Sequence, residues 1–159
     1  MPVMNHIKPP DKKTVSSSTT TRIKQKTAKT ALKTHHNRKS IEKDLDKLWA
    51  ELVKQRDKGK CIRCGKPAVH SHHIFSRRHK RTRWNINNGI SLCFRDHWHW
   101  VNSSEPQDKQ EYFDLIYRLT DVDELKRQSG IVWKPTISEL ENLVFVSKAL
   151  LKDELKAKS

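Results

Sequence analysis

A closely spaced cysteine pair, Cys61 and Cys64, is the feature that most constrains how this chain can fold. The chain has three cysteines in all, an odd number, and no apolar signal segment is recognisable near Met1. This pattern is typical of thiolate metal ligands in a reducing, cytoplasmic setting rather than of disulfides. The segment Cys61-Ile62-Arg63-Cys64-Gly65-Lys66 therefore predicts a zinc-knuckle turn, followed by a strand that ends near His73.

The organisation predicted along the 159 residues is a single α+β module with helices on both sides. Helical periodicity and the cap residue Ser40 predict a supporting helix in residues 40–59. Residues 60–104 carry the short segments and turns of a metal-binding module, with Asn88-Gly89 as a tight turn. Residues 105–159 predict three helices, from Pro106 to Leu119, from Asp121 to Gln128 and from Thr136 to Lys156.

The charge of the chain indicates which class of partner it binds. The 33 Lys and Arg against 18 Asp and Glu give a formal net charge of +15, which favours a polyanion bound through its phosphates. DNA is the partner we expect, and no apolar run is long enough to predict a membrane span. Residues 1–39 hold ten Lys or Arg and one acid, and predict a disordered basic arm. This arm either contacts phosphates or is a solvated tail.

The residues after the cysteine pair follow a recognisable order: His72-His73, then Asn88 followed by Gly89-Ile90-Ser91-Leu92-Cys93, then His97. This order resembles the HNH, or ββα-metal, endonuclease family. The resemblance implies a metal ligand at His72, the general base at His73 and a second metal ligand at His97. It also implies that Asn88 orders the hairpin or orients the base.

The chemistry of phosphodiester hydrolysis agrees with these residue types. Water is a poor nucleophile and the transition state concentrates negative charge on phosphate oxygens, so catalysis needs a base and a cation. A neutral imidazole at His73 can take a proton from water, since its ordinary pKa is about 6.5. His72 and His97 offer neutral nitrogens to Mg²⁺ or Mn²⁺, or to a transition-metal ion such as Zn²⁺ or Ni²⁺.

The helix ligands depart from the family pattern at one position. Many HNH proteins place a further His or Asn four residues after the helix ligand, where this chain has Val101. His99 is therefore the third candidate metal ligand, although a regular helix would point it away from His97. Two alternatives remain: the metal has only two protein ligands plus water, or the helix breaks early and brings His99 or Asn102 to the metal.

A structural zinc site is the second expectation that comes with the resemblance. Related proteins with a Cys-x-x-Cys before the histidine pair hold zinc with a second Cys-x-x-Cys after the asparagine. This chain has Cys61, Cys64 and Cys93, and Asp96 stands in the fourth position. A Cys3Asp site is chemically acceptable. The alternatives are a Cys3His site that recruits His70, or cysteines packed as small apolar residues without metal.

A basic segment between the proposed base and the asparagine predicts the DNA contact. Five of its side chains are assigned to phosphate binding: Arg77, Arg78, Lys80, Arg81 and Arg83. Three tryptophans flank the same site and either stack on unpaired bases or pack in the core: Trp84, Trp98 and Trp100. No helix has the Arg, Asn and Gln pattern of base readout, so we expect low sequence specificity.

Two classes of function fit these residues. The first is a metal-dependent HNH endonuclease, structure-specific on branched recombination intermediates. A narrower resemblance to the phage NinG (Rap) recombination nucleases favours it, through Cys61–Gly65, Arg83-Trp84-Asn85, Tyr112–Ile116 and Val122–Leu125. The second is a non-catalytic, zinc-dependent nucleic-acid-binding module. A nuclease within a larger assembly, such as a packaging or homing enzyme, and a dimeric state also fit the sequence.

Overall fold

Helix α1 begins the part of the chain that the structure describes. The computed structural model describes residues 38–156, and the predicted basic arm lies outside them except for residues 38 and 39. Those two residues are already helical, because α1 occupies residues 38–56. The prediction that Ser40 caps this helix is therefore wrong. The Arg38 guanidinium donates to the Pro135 carbonyl and pairs with Glu42 one turn later, which stabilises the earlier start.

One face of α1 is buried, as the spacing of its apolar residues predicts. Its buried side chains are Ile41, Leu45, Trp49, Leu52 and Val53. The first two form a cluster with Leu140, which belongs to the C-terminal helix α5 (Ile137–Lys156). The Trp49 indole donates a hydrogen bond to the Asn85 carbonyl at 2.9 Å. α1 thus joins the C-terminal helix to the central module.

The centre of the module is a two-stranded antiparallel sheet. Strand β1 (His70–His73) pairs with β2 (Gly89–Leu92), so that His70 lies opposite Leu92 and His73 lies opposite Gly89. β1 ends at His73, as the sequence predicts, and all four residues of β2 are buried. The α+β class is confirmed, since the described residues combine this sheet with helices before and after it.

The prediction of a tight turn at Asn88-Gly89 is wrong. Asn88 ends a 3-10 turn (Ile86–Asn88), and Gly89 begins β2 with a φ of −129°, which is ordinary extended backbone. A glycine is needed there for another reason. A Cβ atom at this position would lie 2.5 Å from Val53 Cγ2 and 2.6 Å from Trp49 Cζ2. Gly89 therefore allows α1 to approach the sheet closely.

The helices after the sheet follow the sequence prediction closely, whereas the basic segment between the strands, predicted as a loop, contains one helical turn. A short helix, α2 (Lys80–Arg83), lies between the strands, and a π-helix (Asp96–Trp100) follows β2. Next come α3 (Pro106–Leu119), α4 (Val122–Ser129) and α5. The predicted capping box is confirmed: the Thr136 hydroxyl accepts from the Glu139 amide at 3.2 Å, and the Glu139 carboxylate accepts from the Thr136 amide at 2.6 Å. No helix among residues 38–156 is both long and apolar enough to cross a membrane.

The core of the module forms around the cysteines. Its buried members are Cys61, Ile90, Leu92, Cys93, Trp100, Ile116 and Val122. These residues come from the knuckle turn, β2, the π-helix and the two helices that follow. Two of the candidate zinc ligands, Cys61 and Cys93, therefore lie inside the packed core.

Gly89→Ala is expected to destabilise the protein by about 1–3 kcal/mol, because the added methyl group overlaps Val53 and Trp49. Gly130→Ala is the matched control, since its Cβ would meet nothing closer than the Arg127 carbonyl oxygen at 3.5 Å. We expect the control to change the free energy of unfolding by less than about 0.5 kcal/mol. Urea unfolding followed by tryptophan fluorescence measures both, and equal stability of the two variants would contradict the close approach of α1.

Candidate functional site

Three cysteines and one aspartate converge inside the module. Their ligand atoms, three Sγ atoms and one carboxylate oxygen, all lie within 4.8 Å of one another. Cys61 Sγ lies 3.2 Å from Asp96 Oδ2, and Cys64 Sγ lies 3.7 Å from Cys93 Sγ. All three cysteines are free thiols rather than disulfides. We refer to Cys61, Cys64, Cys93 and Asp96 as the Cys3Asp cluster.

Local backbone geometry brings these residues together from separate parts of the chain. Gly65 has a φ of +70°, which L side chains rarely adopt, and its amide donates to the Cys61 carbonyl at 2.9 Å. This tight turn brings Cys61 and Cys64 close to each other, as a zinc knuckle requires. Cys93 follows β2 directly, and its sulfur accepts a hydrogen bond from the amide of Asp96 at 3.5 Å.

Hydrogen bonds between the thiols and the carboxylate shift the pKa values of Cys64 and Asp96 in the Cys3Asp cluster. Hydrogen bonding to the Asp96 carboxylate, together with burial, raises the pKa of the Cys64 thiol to about 12. Burial by itself raises the pKa of Asp96, but hydrogen bonds from the three thiols and the charge of Arg95 outweigh it and lower that pKa to about 2. Arg63 Nη1 also lies 3.5 Å from the Asp96 carboxylate. Thiolates beside this buried carboxylate are unfavourable unless a metal ion compensates their charge.

The cluster could hold a metal ion such as zinc. Thiolates and a carboxylate are zinc ligands, and four of them suit the tetrahedral coordination of a structural site. The structure brings Asp96 rather than His70 to the three sulfurs, as in the Cys3Asp alternative. Within residues 38–156, no second group of His, Cys, Asp or Glu side chains brings its ligand atoms together in this way.

A second cluster consists of three imidazole rings. His70 and His72 are two residues apart on β1, so their side chains point to the same face of the sheet. The ring of His97, in the π-helix, lies 4.5 Å from the ring of His70 and 5.5 Å from that of His72, measured between centroids. We refer to these three residues as the histidine cluster. The structure thus brings the predicted ligands His72 and His97 together and adds His70.

Two members of the histidine cluster, His72 and His97, are held in their neutral form. Burial lowers the pKa of His72 to about 4, and the charges of His97 and His73 act in the same direction. Burial, followed by the charge of His70, lowers the pKa of His97. Nδ1 of His97 is buried and has no hydrogen-bond partner among the described residues. Neutral imidazole nitrogens are the form that binds metal ions.

His73 points to the opposite face of β1. Its ring stacks on Trp49 of α1, with centroids 3.7 Å apart and planes inclined by 13°. Its Nε2 lies 2.9 Å from the carbonyl oxygen of Arg83. A carbonyl only accepts hydrogen bonds, so Nε2 carries the proton and Nδ1 keeps its lone pair. Burial lowers the pKa of His73 although the bond to Arg83 opposes this, so the ring is neutral at neutral pH.

Asn88 is fully buried and its side-chain amide is bonded within the protein. Its Oδ1 accepts from the Phe75 amide at 2.7 Å. Its Nδ2 donates to the carbonyl oxygens of Phe75 and Thr82, both at 3.0 Å. Asn88 thereby holds in place the connection between the two strands, both where it begins at Phe75 and in α2, which contains Thr82.

Neither His99 nor Asn102, the two further candidate ligands after His97, is part of the histidine cluster. His99 is exposed, and no ring contact among the described residues joins it to the cluster. Asn102 turns back on the helix, where its Nδ2 donates to the carbonyls of His97 and Trp98, both at 3.2 Å.

The predicted DNA-binding segment contains two kinds of basic side chain. Lys80 donates to Glu42 at 2.6 Å, and Arg83 forms a double hydrogen bond with Asp46 at 2.6 and 2.9 Å. These ion pairs anchor α2 to α1. The exposed members of the segment are Arg77, Arg78 and Arg81. The structure therefore gives two of the five residues an internal role and leaves three at the surface.

Two exposed aromatic side chains border the histidine cluster. Phe94 is 63% exposed and Trp98 is 54% exposed. The Phe94 ring lies 6.2 Å from that of His70, and the Trp98 ring lies 5.5 Å from that of His97. Trp100, by contrast, is buried in the core. The sequence pattern assigned Trp98 and missed Phe94, whose exposure depends on the register of the helix.

No protein-family model, curated protein or solved structure matches this chain. The resemblance to HNH nucleases therefore depends on the residue pattern, and the nuclease activity is taken up below as a proposal.

We expect the purified protein to hold about one zinc ion per chain in the Cys3Asp cluster. Asp96→Ala removes one zinc ligand, so this variant should lose its zinc at a chelator concentration at least about 10-fold lower than the wild-type protein does. Loss of an outer-shell partner alone can weaken a metal site by that factor. Elemental analysis after dialysis against increasing chelator measures the release.

Two variants accompany this experiment. Asp44→Ala changes an exposed aspartate of α1 and should retain zinc as the wild-type protein does. Asp96→Cys replaces the carboxylate by a fourth thiolate and should also retain zinc, which separates loss of a ligand from a general loss of folding. Zinc retention by Asp96→Ala at the wild-type level would contradict the assignment.

Proposed function

We propose that this protein is a metal-dependent DNA endonuclease of the HNH type. The observation that carries the proposal is the contact between the two predicted metal ligands: the rings of His72 and His97 lie 5.5 Å apart. They belong to a strand hairpin and to the helix that follows it, which is the arrangement that the ββα-metal resemblance implies. His73 ends the same strand, and Asn88 holds the connection between the strands.

The histidine cluster suits a divalent cation. The supporting observation is the buried Nδ1 of His97, because a buried polar atom without a partner costs free energy that a bound ion would offset. A cation held there by His72 and His97 would stabilise negative charge on the phosphate and on the leaving oxygen. The neutral state of both rings means that no proton has to be removed before they bind the ion.

His73 is the proposed general base. Stacking on Trp49 and the hydrogen bond to the Arg83 carbonyl hold the ring in one orientation and one tautomer. Nδ1 is then the atom that takes a proton from the attacking water. The lowered pKa of His73 keeps this nitrogen unprotonated at neutral pH. A positioned base of this kind contributes about 10²–10⁴-fold to a reaction rate.

The connection between β1 and β2 is the proposed phosphate-binding surface. Its three exposed guanidinium groups are those of Arg77, Arg78 and Arg81. The same connection supplies the carbonyl that orients His73, so phosphate held by this surface lies beside the proposed base. Lys80 and Arg83 act indirectly, because their ion pairs with α1 fix the position of α2.

The exposed aromatic pair Phe94 and Trp98 favours DNA with unpaired bases. Bases stack on aromatic side chains irrespective of sequence, and these two rings border the histidine cluster. A base that is stacked in a duplex cannot reach them, whereas a flap, a branch point or a single strand can. This supports branched or flapped DNA, the substrate class suggested by the NinG resemblance.

The second candidate is a non-catalytic, zinc-dependent nucleic-acid-binding module. The observation that favours it is the Cys3Asp cluster, which accounts for the three cysteines and Asp96 without any catalysis. It gives no role to the fixed tautomer of His73 or to the unpartnered nitrogen of His97. The two candidates therefore differ most clearly in what they predict for His73.

His73→Ala is expected to slow metal-dependent cleavage of labelled four-way-junction DNA by about 10²–10⁴-fold, because the proton acceptor is lost. Cleavage rates are measured with Mg²⁺ and with Mn²⁺ at saturating protein. DNA affinity, measured by fluorescence anisotropy, should remain at the wild-type value because the phosphate-binding surface is unchanged.

Ser71→Ala is the matched control for this variant. Ser71 lies on the same face of β1 and donates a hydrogen bond to the Ala50 carbonyl of α1 at 2.9 Å, so the change disturbs the same packing without touching an imidazole. It should cleave at the wild-type rate. Equal cleavage by His73→Ala and wild type would remove His73 as the base. DNA binding without cleavage by the wild-type protein, under every metal tried, would favour the non-catalytic module.

A double variant, Phe94→Ala with Trp98→Ala, is expected to weaken binding to flapped DNA by about 10-fold or more, since each base stacked on an aromatic ring is worth about 1–3 kcal/mol. Affinity for blunt duplex DNA should be unchanged. Phe145→Ala, which alters a 72% exposed phenylalanine of α5, is the control and should affect neither substrate. An equal loss of affinity for flapped and blunt DNA would contradict the role in recognising unpaired bases.

A further inference from the structure

His70 has a position on β1 that the HNH pattern leaves without a role. It precedes His72 by two residues, so both imidazoles lie on the face of the sheet that meets the π-helix. Its ring stacks on that of His97 with a centroid distance of 4.5 Å and an interplanar angle of 26°. His70 is therefore closer to His97 than the predicted ligand His72 is.

The two ring spacings measured from His97 are compatible with ligands of one ion. A metal–nitrogen distance of about 2.1 Å puts an imidazole centroid about 3.2 Å from the ion, so two ligand rings at angles of about 90–120° lie about 4.5–5.6 Å apart. The observed distances from His97 are 4.5 Å to His70 and 5.5 Å to His72. Binding requires the rings to turn about their side-chain bonds until one nitrogen of each faces the ion.

The helix lacks the third ligand that many HNH proteins have. Position 101 is a valine, and its amide donates to the Asp96 carbonyl at 3.1 Å in the five-residue step of a π-helix. His99 is exposed, and Asn102 is bonded to helix carbonyls. In this part of the structure, β1 rather than the helix offers the additional imidazole.

We infer that His70 completes a three-histidine metal site with His72 and His97. The inference rests on the proposed nuclease site and names the cofactor class of that site. Three imidazole nitrogens bind first-row transition-metal ions, from Mn²⁺ to Zn²⁺, in preference to Mg²⁺, which selects oxygen ligands and keeps its water. The site therefore selects a transition-metal ion and leaves its remaining coordination positions to water and phosphate.

The first test is metal binding by the full-length, zinc-loaded protein in the absence of DNA. Isothermal titration calorimetry with Ni²⁺ should give one further site per chain, and His70→Ala should weaken that site by about 10–100-fold. Mg²⁺ should give no comparable heat. His99→Ala removes an exposed imidazole outside the histidine cluster and should leave the Ni²⁺ affinity at the wild-type value.

The second test uses the unaltered protein, so it does not depend on whether His70→Ala folds. The histidine rings are labelled with ¹⁵N, and their ring-nitrogen shifts are followed while a second equivalent of Zn²⁺, a diamagnetic ion, is added to the zinc-loaded protein. One ring nitrogen in each of His70, His72 and His97 should shift together, because each of these nitrogens binds the ion directly. The ring nitrogens of His79 and His99 should keep their shifts.

Two outcomes would overturn the inference: wild-type Ni²⁺ affinity in His70→Ala with its zinc content preserved, or His70 ring nitrogens that keep their shifts while a ring nitrogen of His72 shifts. A DNA-cleavage assay distinguishes a failure of the three-histidine metal site from a failure of the proposed endonuclease function. If cleavage requires His73 but not His70, the endonuclease proposal stands and His70 is not a metal ligand. If metal binding requires His70 but the protein does not cleave DNA, the metal site stands and the endonuclease proposal is wrong.

Discussion

The convergence of Cys61, Cys64, Cys93 and Asp96 is the constraint on which the rest of the module depends. It joins the knuckle turn before β1 to the residue after β2 and to the start of the π-helix. The direction of the chain after the sheet is thereby fixed, and His97, one residue beyond Asp96, is brought against β1. In a small module, the binding free energy of a structural zinc ion, about 10–16 kcal/mol in zinc-finger peptides, is also folding free energy. A zinc ion held by the cluster would therefore stabilise the arrangement of the histidines.

The alternation of side chains along β1 separates two chemical roles. His70 and His72 face the π-helix, whereas His73 faces α1 and stacks on Trp49. Arg83 links this second face to α1, because its carbonyl accepts from His73 while its guanidinium pairs with Asp46 of α1. Burial raises the pKa of Asp46, but hydrogen bonds from Arg83 and Trp84 outweigh it and lower that pKa, so the pair stays charged at neutral pH. The orientation of the proposed base thus depends on an ion pair between α1 and α2.

Features encoded by neighbouring residues could be predicted from the sequence, and features that depend on distant contacts could not. The knuckle turn, the end of β1 at His73 and the capping box at Thr136 each depend on residues a few positions apart. Gly89 was assigned to a turn, whereas its actual requirement comes from contact with α1, more than thirty residues earlier. The same limit applies to Lys80 and Arg83, whose partners lie on α1, and to His70, whose neighbour His97 becomes apparent only once the hairpin and the helix are assembled.

We infer two metal positions within this small module, one in the Cys3Asp cluster and one in the histidine cluster. Anomalous differences measured for both elements from crystals of the zinc-loaded protein soaked in Mn²⁺ test this inference. We expect a zinc peak among Cys61, Cys64, Cys93 and Asp96 and a separate manganese peak among His70, His72 and His97. A single peak for both elements, or zinc bound by the three cysteines and His70, would contradict it.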